Sequence, residues 1–245
     1  MQKPIITSFR RVEKKYFLTP GQYADFTKKL LPYVQADAYP TYTLCNLYYD
    51  TDDYRLIRAS IEKPIYKEKL RVRSYGVPDA DDRVFVEIKK KYDGIVYKRR
   101  ITAQPKAASA LLRGIRPLGG ASQIQKEIEY FQTLHRTVPK AFIAYDRQAF
   151  QGIEDRELRI TFDRNMRYRL DDLDLQSGDH GDPILRTDDV LMEIKMPMAC
   201  PLWLSGLLTE CGIVSASFSK YGEVYRGHIL KDNKNLFAKE MRFSA

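Results

Sequence analysis

The chain has no apolar run long enough to span a bilayer. Its first residues, MQKPIITSFRRVEKKYF, lack the apolar stretch of a secretory leader. Both absences argue for a cytoplasmic protein. Cysteine is scarce: Cys45, Cys200 and Cys211 have neither an even count nor paired metal-ligand spacing, which excludes a disulfide framework and a thiolate zinc site and leaves buried free thiols. His135, His180 and His228 fall outside the strand patterns described below and read as surface or structural residues, so no Ser-His or Cys-His nucleophile pair is legible. No internal repeat, low-complexity linker or break in composition divides the chain. With 44% hydrophobic residues, 1–245 reads as a single domain with a sizeable core.

Positive charge is plentiful. A net charge of +9 favours an anionic partner without saying which. Its distribution is more specific. Read at period two, Arg11-Glu13-Lys15, Lys69-Arg71-Arg73, Glu87-Lys89-Lys91, Lys98-Arg100, Arg159-Thr161-Asp163 and Glu193-Lys195 each place their charges on one side of a strand. The reverse sides carry apolar residues such as Leu70, Val72, Val86, Ile88, Ile160, Phe162, Met192 and Ile194. Any one stretch alone reads as a solvated, cross-strand-paired surface. Six sharing the same bias read as a common functional surface, with helices covering the apolar reverse.

Alternation and breakers give about eight strands, near 8–16, 42–49, 67–76, 83–91, 95–101, 141–150, 157–163 and 189–196. Helical periods lie at Thr19 or Gly21 to Leu31, Lys106 to Arg113, Ser122 to His135, Pro201 to Cys211 and Gly222 to Lys239. Tyr92-Asp93-Gly94 is a hairpin signal, Gly76 to Asp82 a longer connection, and Asp171 to Asp189 a solvated loop. An even strand number suits an antiparallel barrel. The expected class is α+β, an eight-stranded antiparallel β-barrel tunnel with helices packed outside.

Cations turned inward repel one another by several kcal/mol at an effective dielectric near 20, and a chain of phosphates relieves them. Arg grips phosphate oxygens with a planar fork, and Lys offers a point charge. Carboxylates among such cations make sense if they hold a divalent metal, Mg²⁺ or Mn²⁺, against substrate phosphates, which marks Glu13, Glu87 and Glu193. Tyrosines such as Tyr48, Tyr49, Tyr66 and Tyr97 sit in strand contexts where aromatics are ordinary packing, so base stacking by a nucleic acid is not called for.

These residues carry a resemblance. Phe9-Arg10-Arg11-Val12-Glu13-Lys14-Lys15-Tyr16, Leu47-Tyr48-Tyr49-Asp50-Thr51, Lys69-Leu70-Arg71-Val72-Arg73-Ser74-Tyr75, Val86-Glu87-Ile88-Lys89, Tyr145-Asp146-Arg147-Gln148-Ala149-Phe150, Arg159-Ile160-Thr161-Phe162-Asp163, Leu191-Met192-Glu193-Ile194-Lys195 and Phe218-Ser219-Lys220-Tyr221 fall in an order that resembles the VTC domain of the triphosphate tunnel metalloenzyme (CYTH-like) superfamily, over about residues 8 to 226. The resemblance implies a tunnel for a nucleotide triphosphate or polyphosphate with a divalent metal, and a polymerase that moves the terminal phosphoryl group of ATP onto a growing chain. By motif, Lys15, Arg71, Arg73, Lys89, Arg147, Arg159, Lys195 and Lys220 would contact phosphates and do the catalytic work. Arg11, Lys69, Lys91, Lys98 and Arg100 would extend the phosphate-binding surface, and Glu193 would be the principal metal ligand with Glu13 and Glu87 assisting. Arg11 stands where the superfamily's triphosphatases and cyclases carry a first Glu, which favours the polymerase branch. The eukaryotic polymerases have a second basic residue shortly before the Ser-Lys motif, and this chain has Ser215, Ala216 and Ser217 there. Their separate lipid-head-group-binding and membrane-spanning segments have no counterpart here, so coupling to a membrane would need a membrane-protein partner. A triphosphatase and a non-catalytic polyphosphate- or nucleotide-binding subunit remain alternative readings.

Overall fold

The computed structural model describes residues 12–93, 95–115, 122–185, 188–197 and 199–230. Period-two alternation organises them around one antiparallel sheet. Its long strands are β1 (Val12–Leu18), β2 (Val34–Asp50), β3 (Tyr66–Tyr75), β4 (Val84–Tyr92), β5 (Ile95–Ala103), β6 (Val138–Gly152), β7 (Arg159–Arg169) and β9 (Val190–Met196). Two-residue strands β8 (Asp182–Pro183) and β10 (Ser215–Ala216) complete it, in the order β10-β1-β9-β7-β6-β2-β3-β4-β5 with β8 beside β7. All eight expected strands are present, β2, β6 and β7 being longer than expected, and the part of the first expected strand at 8–11 lies outside the described residues.

The expected α+β fold, an antiparallel sheet with helices packed outside, is borne out; among the described residues the outermost strands β5 and β10 do not pair, so the sheet is not closed into a barrel. The sheet instead curls into a trough. Its curl brings the far strands together through side chains, since Lys89 Nζ on β4 lies 3.7 Å from Glu13 on β1. Strand twist curls a wide sheet, and part of the concave face is packed: Leu44, Tyr48, Ile143 and Tyr145 are buried against Ile57, Phe218, Tyr221 and Val224.

The convex face is covered where the apolar residues demand it. Helix α1 (Pro20–Leu30) begins with a capping box: Gln22 N donates to Thr19 Oγ1 at 3.3 Å, and Thr19 N donates to Gln22 Oε1 at 3.1 Å. It seals Phe26 and Leu30 against Ile160, Phe162, Met192 and Ile194, together with α5 (Leu202–Glu210). Helices α3 (Pro105–Leu112) and α4 (Gln123–His135) cover a second cluster of Leu70, Val72, Val86, Ile88 and Phe142. Full burial of one such side chain contributes about 1.5–3 kcal/mol.

Two short helices sit at one end of the trough. Helix α2 (Arg55–Ile61), absent from the sequence reading, starts because the buried Asp50 carboxylate accepts from Leu56 N at 2.9 Å and Ile57 N at 3.0 Å. The same carboxylate accepts from Tyr221 Oη at 3.1 Å, tying α2 to α6 (Lys220–Val224). The expected last helix, Gly222 to Lys239, is helical throughout its described part, α6 passing into a wide π turn at Tyr225–Ile229, and 231–239 lie outside the described residues. The Asp171 to Asp189 stretch is mostly loop, as expected, but it is organised. Arg169 donates to the carbonyls of Asp172, Asp174, Gly178 and His180, and Leu175 is buried in the core.

Candidate active site

The concave face gathers the charged alternation of seven strands. β3 contributes Lys69, Arg71 and Arg73, β4 Glu87 and Lys89, β5 Lys98, β6 Arg147, β7 Asp163, β9 Glu193 and Lys195, and β1 Glu13 and Lys15. Lys220 joins them from the start of α6. The cations outnumber the carboxylates, so the carboxylates are shared.

Two of the carboxylates are enclosed by cations. Glu87 takes Arg71 Nη2 at 2.8 Å and Lys98 Nζ at 2.6 Å, with Arg73 Nε at 3.9 Å. Burial pushes its carboxyl up, but Arg71, Arg73 and Lys98 outweigh it and hold the group at about 2. Asp163, fully buried, accepts a fork from Arg147, Nε to Oδ1 at 2.6 Å and Nη2 to Oδ2 at 2.8 Å, and Lys220 Nζ at 2.6 Å. The sequence placed Asp163 on the charged face without giving it a role; this structure makes it the anchor of two phosphate-binding candidates.

Glu13 and Glu193 are ion-paired as well, Glu13 to Lys15 at 3.5 Å and Lys89 at 3.7 Å and Glu193 to Lys195 at 2.6 Å, but they also lie close to each other. In register Glu13 faces Lys195 and Glu193 faces Lys15, so the two acids are diagonal neighbours on β1 and β9. Burial raises the Glu13 carboxyl and so does the Glu193 charge, while Lys89, Lys15 and Lys195 bring it below its ordinary value. Glu193 is likewise raised by burial but held well down by Lys195, Lys15, Arg147 and Lys220. Opposite Glu193 in register stands Thr161, whose buried hydroxyl has no hydrogen-bond partner among the described residues. Two ionised carboxylates beside an unsatisfied hydroxyl are a donor set that fits a hard divalent cation with phosphate and water completing its shell. Glu87 lies apart: the described residues contain no cluster of three acidic or other metal-ligating side chains.

The remaining cations line the same face. Lys15 Nζ donates to the Phe218 carbonyl at 3.0 Å, and Lys69 Nζ to Ser219 Oγ at 3.1 Å, so both lysines are aimed by the segment before α6. Burial and the nearby Lys89, Lys67 and Lys15 pull the Lys69 amine down to about 8 against the opposing effect of Tyr48. Arg73 is oriented by Asn46 Oδ1 at 2.9 Å, and Arg71 Nη1 donates to Tyr48 Oη at 3.2 Å. Burial raises the Tyr145 phenol, but Arg73, Arg147 and Lys220 bring it down to about 8. Lys67, which faces Lys91 in register, extends the basic surface to the α2 end. Asn46, Tyr48, Tyr145, Lys67 and Ser219 were missed by sequence reasoning. Alternation places the first four on the face, but only side-chain contacts reveal what they do.

Three predicted residues lie at the margin, and one outside. Arg159 is exposed and bonds Asp37, Arg100 stacks its guanidinium 4.6 Å from the Phe85 ring centroid, and Lys91 sits near the end of β4. Arg11 lies outside the described residues.

The fold is a curled antiparallel sheet whose concave face is rich in cations that share its carboxylates. Solved structures share this fold: a candidate adenylate cyclase from Bacillus halodurans at TM-score 0.54 and 13% identity, covering 87% of this chain and 96% of its own. A candidate adenylyl cyclase from Hippeastrum with a dominant triphosphatase activity follows at TM-score 0.51 and 16% identity, covering 89% and 95%. Residues 10–227 match the VTC domain, and the chain belongs to that family. Among curated relatives, vacuolar transporter chaperone complex subunit 4 of Schizosaccharomyces pombe is 24% identical over 207 residues, 71% of this chain and 28% of its own length. Its namesake from Trypanosoma brucei brucei is 28% identical over 217 residues, 73% of this chain and 27% of its own. The chain therefore spans about a quarter of the length of these relatives. Among the described residues no helix is long and apolar enough to cross a membrane.

Proposed function

We propose that this chain is an ATP-dependent polyphosphate polymerase, transferring the terminal phosphoryl group of ATP to a growing polyphosphate chain and releasing ADP. The observation that carries this reading is the single concave face on which Lys15, Lys69, Arg71, Arg73, Lys89, Arg147 and Lys220 converge around an acidic pair, Glu13 and Glu193. Phosphoryl transfer asks mainly for in-line positioning and neutralised charge, so a face of forks and point charges suffices without a protein nucleophile. Arg71, Arg73 and Arg147 hold phosphate oxygens in fixed planes, because Glu87, Asn46 and Asp163 fix their guanidinium orientations. Lys15 and Lys220 hold the phosphates on the β1 and α6 side. Glu193 and Glu13 would hold Mg²⁺ or Mn²⁺, which when bound neutralises charge developing on the transferred group.

The relatives named as subunits of a vacuolar transporter chaperone complex support a place for this chain in a complex with other subunits. The test is incubation of the purified protein with ATP and Mn²⁺ or Mg²⁺, resolving products on a gel stained for polyphosphate and assaying ADP and orthophosphate. Long chains with ADP are the expected result. Orthophosphate without chains would make the protein a triphosphatase, and tight binding without turnover would make it a binding subunit.

A further inference from the structure

The two ends of the trough differ in chemistry. At one end Lys67 and Lys91 face each other. At the other, beyond Arg73, the same face of β3 continues to Tyr75, and Arg73 faces Phe85 across the ladder. Tyr75 stands edge-on to Phe85 with centroids 5.8 Å apart and 5.4 Å from Tyr42, and Arg100 lies over Phe85. Tyr75 remains 54% exposed, so its ring is not a core residue. Beside it lies an open recess of about 430 Å³, whose lining includes Tyr75, Phe85 and the loop carboxylates Asp81 and Asp82.

We propose that the Tyr75–Phe85 step stacks the purine base of a nucleoside triphosphate whose phosphates lie along Arg73 and Arg71, making this end the nucleotide mouth. The inference rests on the phosphate-binding reading above and adds a recognition element to it. At about 3.3 Å per residue, Tyr75 lies roughly 7 Å beyond Arg73, the span of a ribose between base and phosphate. An exposed aromatic face next to a guanidinium is the platform on which any base stacks. Asp81 and Asp82 can accept from an exocyclic amine or ribose hydroxyls. Arg83 also lines the recess, but its two acids against that one cation leave it less basic than the Lys67 end, which suits a bare phosphate chain better.

The test compares ATP with inorganic tripolyphosphate, binding each to the wild-type protein and to Tyr75→Ala and Tyr75→Phe by titration calorimetry. Tyr75→Ala should lower ATP affinity about tenfold, as loss of one base stack does, and leave tripolyphosphate affinity within about twofold. Tyr75→Phe should retain ATP affinity. Unchanged ATP binding in Tyr75→Ala, or an equal loss for both ligands, overturns the base platform while leaving the phosphate site standing. Failure of the wild-type protein to bind either ligand overturns both.

Discussion

Glu87 and Asp163 on one side, and Glu13 and Glu193 on the other, share a setting: each carboxylate stands on a strand among basic residues facing the trough. Their surroundings part them. Glu87 is closed in by Arg71, Arg73 and Lys98, and Asp163 by Arg147 and Lys220, so each serves as the counter-charge that aims cations. Glu13 and Glu193 are also ion-paired, to Lys15, Lys89 and Lys195, but they stand diagonally on adjacent strands, Glu13 is raised by the Glu193 charge, and the Thr161 hydroxyl opposite Glu193 has no partner among the described residues. What separates the second pair is a second carboxylate and a free hydroxyl nearby, not a smaller number of cations.

The comparison breaks most visibly at Asp163. Removing one partner of a buried pair leaves the other charge uncompensated, so Asp163→Asn should cost roughly 3–5 kcal/mol in chemical denaturation. A loss below about 1 kcal/mol would show that Arg147 and Lys220 do not depend on it. Glu87→Gln should follow the same course with a smaller loss, because Lys98 is partly exposed. Next in size, Arg71→Ala with Arg73→Ala should weaken tripolyphosphate binding about a hundredfold by losing charged hydrogen bonds. Unaltered affinity would place both on an ordinary outer face. The two kinds of carboxylate separate directly in Mn²⁺ titration: Glu193→Gln should lower affinity at least about tenfold and abolish metal-dependent turnover, while Glu87→Gln should leave Mn²⁺ affinity within about twofold. Equal effects would erase the distinction.

The smallest effect is in pH. With Lys69 at about 8, its charge is present below that pH and is lost as pH rises through it, so tripolyphosphate affinity should decline several-fold between about pH 7 and 9, with proton uptake on binding. Calorimetry in buffers of different ionisation enthalpy reads that uptake, and Lys69→Met should reduce it. The same depressed value means the unfolded chain binds the extra proton between about 8 and the ordinary lysine value, so this group's contribution to folding stability rises with pH over that window.

Much of the molecule was legible because alternation is a local signal. The apolar reverse faces Leu70-Val72, Val86-Ile88, Ile160-Phe162 and Met192-Ile194 are all buried, and each named the side on which its charges would lie. Helix α1 announced itself through its Thr19-Pro20 start. Helix α2 did not, because its first amides are satisfied by Asp50 at the end of the preceding strand rather than by a neighbouring cap. An even strand count did not decide whether the outermost strands meet, and among the described residues they do not.

By itself the sequence determined the strands, the convex and concave faces and the basic character of the latter, because side-chain direction in a strand follows from residue parity alone. Which carboxylate lies among cations and which beside another carboxylate, which lysine is depressed by its neighbours, and which end of the trough is aromatic were decided only in three dimensions. Those properties depend on register and curl, which bring Glu13 to Lys89, Lys69 to Ser219 and Tyr75 to Phe85 across intervals that no local pattern records.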